Sequence, residues 1–310
     1  MKMLGYLLGA ASVVSATGAI AVLLPRQATA DASAASPPAA VDRGSPPAAV
    51  PSQPLATDEA PQAPEFPDLT QTDPALDVPG SGNSYCGPVA VSNSLIWLAQ
   101  GDYPALAPDA PTQREQQLEL VRRLSSPRYM ATSPTMGTGA FGLMKGVERW
   151  VTDAGYEIAR LEYQGWRGHP LKFATYVKVP RLEWLASALA DHGAAWLHVG
   201  WYRPPTRWEP AYQRHGGHWL TLVKVEGDGT LALHDPAPYA GTKPSTERVS
   251  TRAIESGWIL DGQSRLRADG HLILEGGMHV KRDGELAILD GAVTLVLTRP
   301  SRNQAGDWIP

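Results

Sequence analysis

Cys86 is the only cysteine in the 310 residues, and it heads the stretch Ser84-Tyr-Cys-Gly-Pro-Val-Ala-Val-Ser-Asn-Ser-Leu-Ile-Trp97. Val91, Leu95 and Leu98 follow at i, i+4, i+7 spacing, which predicts an amphipathic helix. Pro88 is compatible with a first helical turn, where its missing N–H is no loss. Cys86 is therefore expected where a loop enters a helix, beside free N–H groups and the positive end of the dipole, which favour a thiolate. A lone thiol is equally at home as a small buried apolar side chain. The stretch alone leaves both readings open.

The start of the chain sharpens the question. Lys2 precedes an uncharged run from Leu4 to Leu24, and Ala28-Thr29-Ala30 has the A-x-A form of a signal-peptidase site. Residues 1–30 thus read as a cleaved signal peptide or as an N-terminal anchor tethering the protein to the membrane through residues 4–24. Either places the body outside the cytoplasm, secreted, periplasmic or membrane-anchored facing outward. Residues 31–64 hold eight Pro and ten Ala and no aromatic residue, a composition that cannot bury enough apolar surface to offset its ordering entropy. Residues 31–67 are read as a tether, and residues 68–310 as one domain. In an oxidising compartment an idle exposed thiol is a liability, so an unpaired Cys86 is expected to be functional or fully buried.

Along the domain, helical signals dominate the first half. Thr112-Gln-Arg-Glu115 has the form of a capping box and leads into Leu118, Val121 and Leu124. Helices are expected over 140–154, closed by Gly155, and over 182–192, stopped by Gly193. Strands are expected at 156–163, 194–201, 219–225, 231–234, 272–274, 286–289 and 293–297, with Gly227-Asp228-Gly229 joining two of them as a hairpin. Residues 240–267 read as a surface elaboration with a short helix near 252–256. A helical half followed by an antiparallel sheet is the α+β arrangement.

A thiolate nucleophile needs a base within reach, and the base needs an orienting group. His218 follows Gly216-Gly217 and precedes the apolar run 219–225, at the expected mouth of a strand. Asp235 ends the return strand, 17 residues after His218, so pairing of the two strands brings them to one sheet end. His215 is a competing base. His215, His218 and His234 also invite a metal reading, but the chain has no second cysteine and no HExxH pattern, and neither a metal nor a cofactor is expected. Trp201 and Trp208 are candidates for lining a substrate groove, with core packing as the alternative. A net charge of −4, without a basic patch interleaved with aromatics, argues against nucleic acid.

Tyr-Cys-Gly-Pro opening a helix, Gly-His-Trp opening a strand and the following Asp-Pro together resemble a papain-like cysteine peptidase. More narrowly they resemble the bacteriocin-processing (double-glycine leader) peptidases and their stand-alone relatives. The resemblance covers residues 71–98 and 216–236. It implies a papain-like α+β fold, with a helical half carrying the Cys86 helix packed on the C-terminal sheet. It also implies hydrolysis of a peptide or amide bond in a peptide or protein substrate through an acyl-enzyme. The chain is expected to act as a monomer. Carried over, Cys86 is the nucleophile, His218 the base, Asp235 the orienting group and Gln71 the oxyanion donor. The bacteriocin-processing members hold that glutamine six positions before the cysteine, where this chain has Gly80. Gln71 is 15 positions ahead and serves only if the loop between bulges out; Asn83 is the alternative donor. Two other functions use the same parts: acyl transfer, as in transglutaminases or phytochelatin synthase-like proteins, and a peptide-binding module without turnover. From composition alone, deleting residues 31–64 is expected to leave the melting temperature essentially unchanged; a large drop in a thermal melt would show that this span packs on the domain.

Overall fold

The computed structural model describes residues 65–237, 246–276 and 284–299. The expected signal or anchor, and the Pro/Ala-rich span up to residue 64, lie outside the described residues. Three helices come first, α1 (Cys86–Ala99), α2 (Gln113–Ser125) and α3 (Ala140–Asp153), followed by β1 (Ile158–Gly165) and α4 (Leu182–Ala190). The rest is sheet: β2 (Ala194–Arg203), β3 (Tyr212–Val225), β4 (Leu231–His234), β5 (Glu247–Ala253), β6 (Trp258–Asp261), β7 (Ser264–Arg267), β8 (Leu272–Glu275) and β9 (Leu286–Leu297).

The expected papain-like α+β architecture, a helical half packed on an antiparallel sheet, is overturned. The nine strands form one sheet, and six of them close on themselves in the order β2–β9–β8–β5–β4–β3 and back to β2, antiparallel at every step. The result is a β-barrel. β1 extends it beyond β9, while β6 pairs with the start of β3 in parallel and carries β7 at its edge. The closure escapes a local reading because two of the strands involved are short and a third lies in the stretch read as an elaboration. β4 and β8 have four residues each, and β5 starts as buried and exposed residues in alternation and ends mostly exposed. No helix forms near 252–256; Arg252 and Ala253 instead pair with β8. Among the described residues no helix is long and apolar enough to cross a membrane.

β2 is the strand on which both packing layers meet. All its residues but Arg203 are buried. Ala195, Leu197, Val199 and Trp201 point into the barrel with Leu220, Leu222, Leu231, Leu233 and Leu289. Ala194 and Trp196 face the other way, against the α1, α2 and α3 layer, where they join Trp219, Val293 and Leu295. A strand covered on both faces reads as a continuous apolar run, as this one does.

α1 is buried more completely than the amphipathic helix that its spacing predicts. Twelve of its 14 residues are buried, with only Trp97 and Ala99 reaching the surface. Its polar residues are satisfied inside: Asn93 Nδ2 donates to Thr221 Oγ1 at 3.1 Å, and Gln117 Nε2 donates to Asn93 Oδ1 at 2.6 Å. Trp196 Nε1 and Thr221 Oγ1 both donate to the Ala90 carbonyl, at 3.1 and 2.8 Å, pinning the helix to the sheet. The capping box of α2 forms as expected, with Thr112 and Glu115 bonding reciprocally. The packing predicts that Leu197→Ala, inside the barrel, costs about 2–5 kcal/mol, and that Leu266→Ala on the edge hairpin costs well under half of that. Equal shifts of the denaturant midpoint would show that the barrel interior is not the main core.

Candidate active site

Cys86 is the first residue of α1, and its helix N-terminus is set by what lies before it. Pro79–Gly82 forms a tight turn in which Gly80, Ser81 and Gly82 all have left-handed backbone (φ +67°, +51° and +74°). This is the bulge that the spacing of Gln71 requires. It brings Gln71 back against the residues just before Cys86, so closely that a Cβ on Gly82 would stand 1.8 Å from the Gln71 carbonyl oxygen. Gln71 is buried, its N–H donates to the Pro236 carbonyl at 2.7 Å, and its side-chain Nε2 donates to the Asn83 carbonyl at 2.7 Å. One amide N–H thus orients the side chain while the second remains available. Asn83 is exposed and turns its own Nδ2 to the Gly80 carbonyl at 3.0 Å.

His218 lies within β3, six residues after its start, and not at a strand mouth as its sequence context suggests. Its imidazole stands beside the Cys86 thiol, near enough to act on its ionisation, and through Nε2 hydrogen-bonds the Asp235 Oδ1 at 2.6 Å. Asp235 follows β4 directly, and the register Thr221↔His234 between β3 and β4 brings it beside His218. The same Oδ1 accepts the Ala237 N–H at 2.9 Å, so the carboxylate is held from two sides. All three residues are buried. Trp201 stacks on the His218 ring with centroids 5.9 Å apart, screening the imidazole–carboxylate bond from water. It covers the histidine and is not a groove wall, and Trp208 is exposed, away from the cavity lining.

These contacts set the charge state of the pair. Burial pushes the Cys86 thiol up, but the hydrogen bond and charge of His218, together with the N–H groups of Trp219 and Gly87, outweigh it and hold the thiol below its ordinary value. For His218 burial works downward, but the Asp235 carboxylate, with a further contribution from Cys86, raises it to about 10. The arrangement favours a thiolate–imidazolium pair.

Cys86, His218, Gln71 and Asn83 all line one cavity of about 890 Å³, opposite the 135–139 loop and beside Gly216 and Gly217. Of the other candidate histidines, His215 also lines the cavity but its Nε2 pairs with Glu285 at 3.1 Å, and His234 bonds the Pro67 carbonyl at 2.9 Å and Thr246 at 3.1 Å. Among the described residues no three His, Cys, Asp or Glu side chains converge as metal ligands would.

The cavity also contains residues that the sequence did not single out. Arg167, His198, Arg214 and Asp261 line it as well. Asp290, wholly buried behind them, accepts hydrogen bonds from Arg214 Nε at 2.6 Å, Tyr202 Oη at 2.5 Å and Trp166 Nε1 at 3.2 Å. An alternating strand pattern would put Arg214 on the His218 face, but β2 and β3 slip register between Trp201↔Gly216 and Tyr202↔Arg214. His215 is the extra residue, and the bulge moves Arg214 to the opposite face. Comparison with known proteins adds no family: no protein-family model matches the chain, and no curated protein matches it.

Alkylation of Cys86 by a neutral reagent tests the ion pair. The rate is expected to hold up at pH values below the usual thiol range and to lose that feature in His218→Ala, whose thiol lacks the imidazolium. A wild-type profile that rises only near the ordinary thiol pKa would show a neutral pair.

Proposed function

We propose that the protein is a cysteine hydrolase that cleaves a peptide or amide bond through an acyl-enzyme. The observation that supports this reading is the line from the Cys86 thiol through the His218 ring to Asp235 Oδ1, 2.6 Å from Nε2, opening on a single cavity. Asp235 takes Nε2, which leaves Nδ1 of the same ring for the sulfur and fixes the orientation of the imidazolium. The thiolate attacks the carbonyl carbon, and negative charge develops on its oxygen. The free N–H of Gln71 Nε2 and the Cys86 backbone N–H, unpaired in the first turn of α1, receive that charge. His218 then gives its proton to the departing amine. Water enters, His218 takes a proton from it, and the hydroxide attacks the thioester, releasing the acid and restoring the thiolate–imidazolium pair. From the N-terminal sequence pattern, we take the activity to lie outside the cytoplasm.

The three groups act as one unit, and such units lose activity non-additively. Cys86→Ala and His218→Ala are each expected to abolish turnover of a peptide pool followed by mass spectrometry, with the double variant scarcely worse. Asp235→Ala, which removes orientation only, should lower turnover by roughly 10²–10⁴. Full activity in His218→Ala would remove the proposal. Gln71→Ala is expected to lower kcat by about 10²–10³ with KM little changed, and Asn83→Ala to be nearly silent. The reverse pattern would transfer the donor role to Asn83.

The profile of kcat/KM against pH should be a bell, because that ratio reports the groups of the free enzyme. The acid limb follows ionisation of Cys86 below the ordinary thiol range, and the alkaline limb falls as His218 loses its proton near pH 10. An alkaline limb near neutrality would show that Asp235 does not hold the imidazolium.

A further inference from the structure

The Arg214–Asp290 pair has no part in the chemistry above, and its burial is hard to explain as stabilisation. A buried ion pair is often no more stabilising than apolar residues of the same volume. Here it also requires two irregularities and two glycines. Asp290 is itself the extra residue where β2 and β9 change register between His198↔Gly291 and Val199↔Leu289. A Cβ on Gly200 would stand 2.6 Å from Asp290 Oδ2, and a Cβ on Gly217 would stand 2.5 Å from Arg214 Nη2. Bulges beside active sites re-aim side chains, and both of these act on one guanidinium.

What the guanidinium offers can be read from its contacts. Nε is taken by Asp290, and Nη1 lies 3.9 Å from Asp261 Oδ1, beyond a hydrogen bond. Nη2 has no acceptor among the described residues and lies over Gly217, the residue before His218. Asp261 in turn holds Arg167 beside it. His198, buried and stacked on Trp219 with centroids 4.3 Å apart, completes this end of the cavity, and its Nδ1 has no hydrogen-bond partner. Burial first, then the two arginines, hold His198 uncharged, so it adds a neutral polar edge beside the fork.

We infer that the Nη1–Nη2 edge of Arg214, with Arg167 beside it, is a subsite for a substrate carboxylate next to the bond that is cut. A guanidinium edge matches a carboxylate in two parallel hydrogen bonds, and Asp290 pre-orients it. Successive strand residues rise about 3.3 Å, so a guanidinium over Gly217 sits within about one residue of the site served by His218. The carboxylate then belongs to the side chain of a neighbouring acidic residue or to the end of the substrate chain. This inference rests on the hydrolase reading for the words "bond that is cut", but the binding it describes is tested without turnover.

The full chain carrying Cys86→Ala is titrated, by its tryptophan fluorescence, with four pools of capped octapeptides of randomised Ala, Gly, Leu and Ser. One pool carries a single Glu at a random position, the second Gln, the third Lys, and the fourth Gln with a free C-terminal carboxylate. The Glu pool or the free-acid pool is expected to bind about tenfold more tightly than the Gln pool, and the pool that does so identifies the source of the carboxylate. In Arg214→Gln the ratio should fall to about one, and in Arg214→Lys to an intermediate value, because a point charge lacks the fork. Should Arg214→Gln fail to fold with Asp290 unpaired, Arg167→Gln decides: its side chain is partly exposed, and it should weaken the preference while leaving the core intact. Equal binding of the pools, preference for Lys, or an unchanged ratio in these variants would overturn the inference. Wild-type cleavage of the same pools separates the two readings. Selective binding without cleavage sinks the hydrolase and keeps the subsite. Cleavage with equal use of Glu, Gln and free-acid peptides does the opposite.

Discussion

Everything in this fold depends on β2 being paired along both edges and covered on both faces. Its edges hydrogen-bond β3 and β9, which closes the barrel. Its faces divide the apolar residues into an interior around Leu197 and Leu220 and a layer under α1 around Trp196. With no free edge, β2 can neither slip nor bend without breaking a ladder. A one-residue slip would exchange its two faces, so the register is strongly determined.

The site inherits that rigidity. α1 is tied to the sheet through the Ala90 carbonyl, so Cys86 at its first residue is positioned by sheet contacts. His218 stands on β3, directly opposite Val199 of β2, and Asp235 comes off the hairpin partner of β3. The three groups arrive from three elements yet share one strand as reference. Gln71 arrives by a fourth route, bonded to Pro236 just after Asp235 and to Asn83 just before Cys86. It bridges the two ends of the Cys86–His218–Asp235 line.

The two register shifts flanking β2 give the cavity its second character. A regular ladder on both sides would leave Arg214 and Asp290 on faces where they do not meet. With one extra residue in β3 and one in β9, both side chains converge at the glycine positions 200 and 217. The same departures from regular pairing that would weaken a plain barrel thus hold a guanidinium beside His218.

By itself the sequence determined the parts with local signatures. The helix start at Cys86, the capping box at Thr112, α3 and the hairpin carrying His218 and Asp235 are set by spacing, turn chemistry and capping within a few residues. The juxtaposition of His218 and Asp235 was legible because a tight turn fixes the register of the strands it joins. The return of Gln71 was legible only as a condition, met by three successive left-handed residues at 80–82. The tertiary structure alone decided that the sheet closes into a barrel, that α1 is buried at all but two of its residues, and that Arg214 and Asp290 meet at the cleft. Closure depends on β9 pairing with β2, far back along the chain, as well as with β8, and on four-residue strands too short to show a clear period. Periodicity reports which face of a strand is buried but not which strand it meets. A bulge shifts that periodicity by one residue at a place set only by the partner strand.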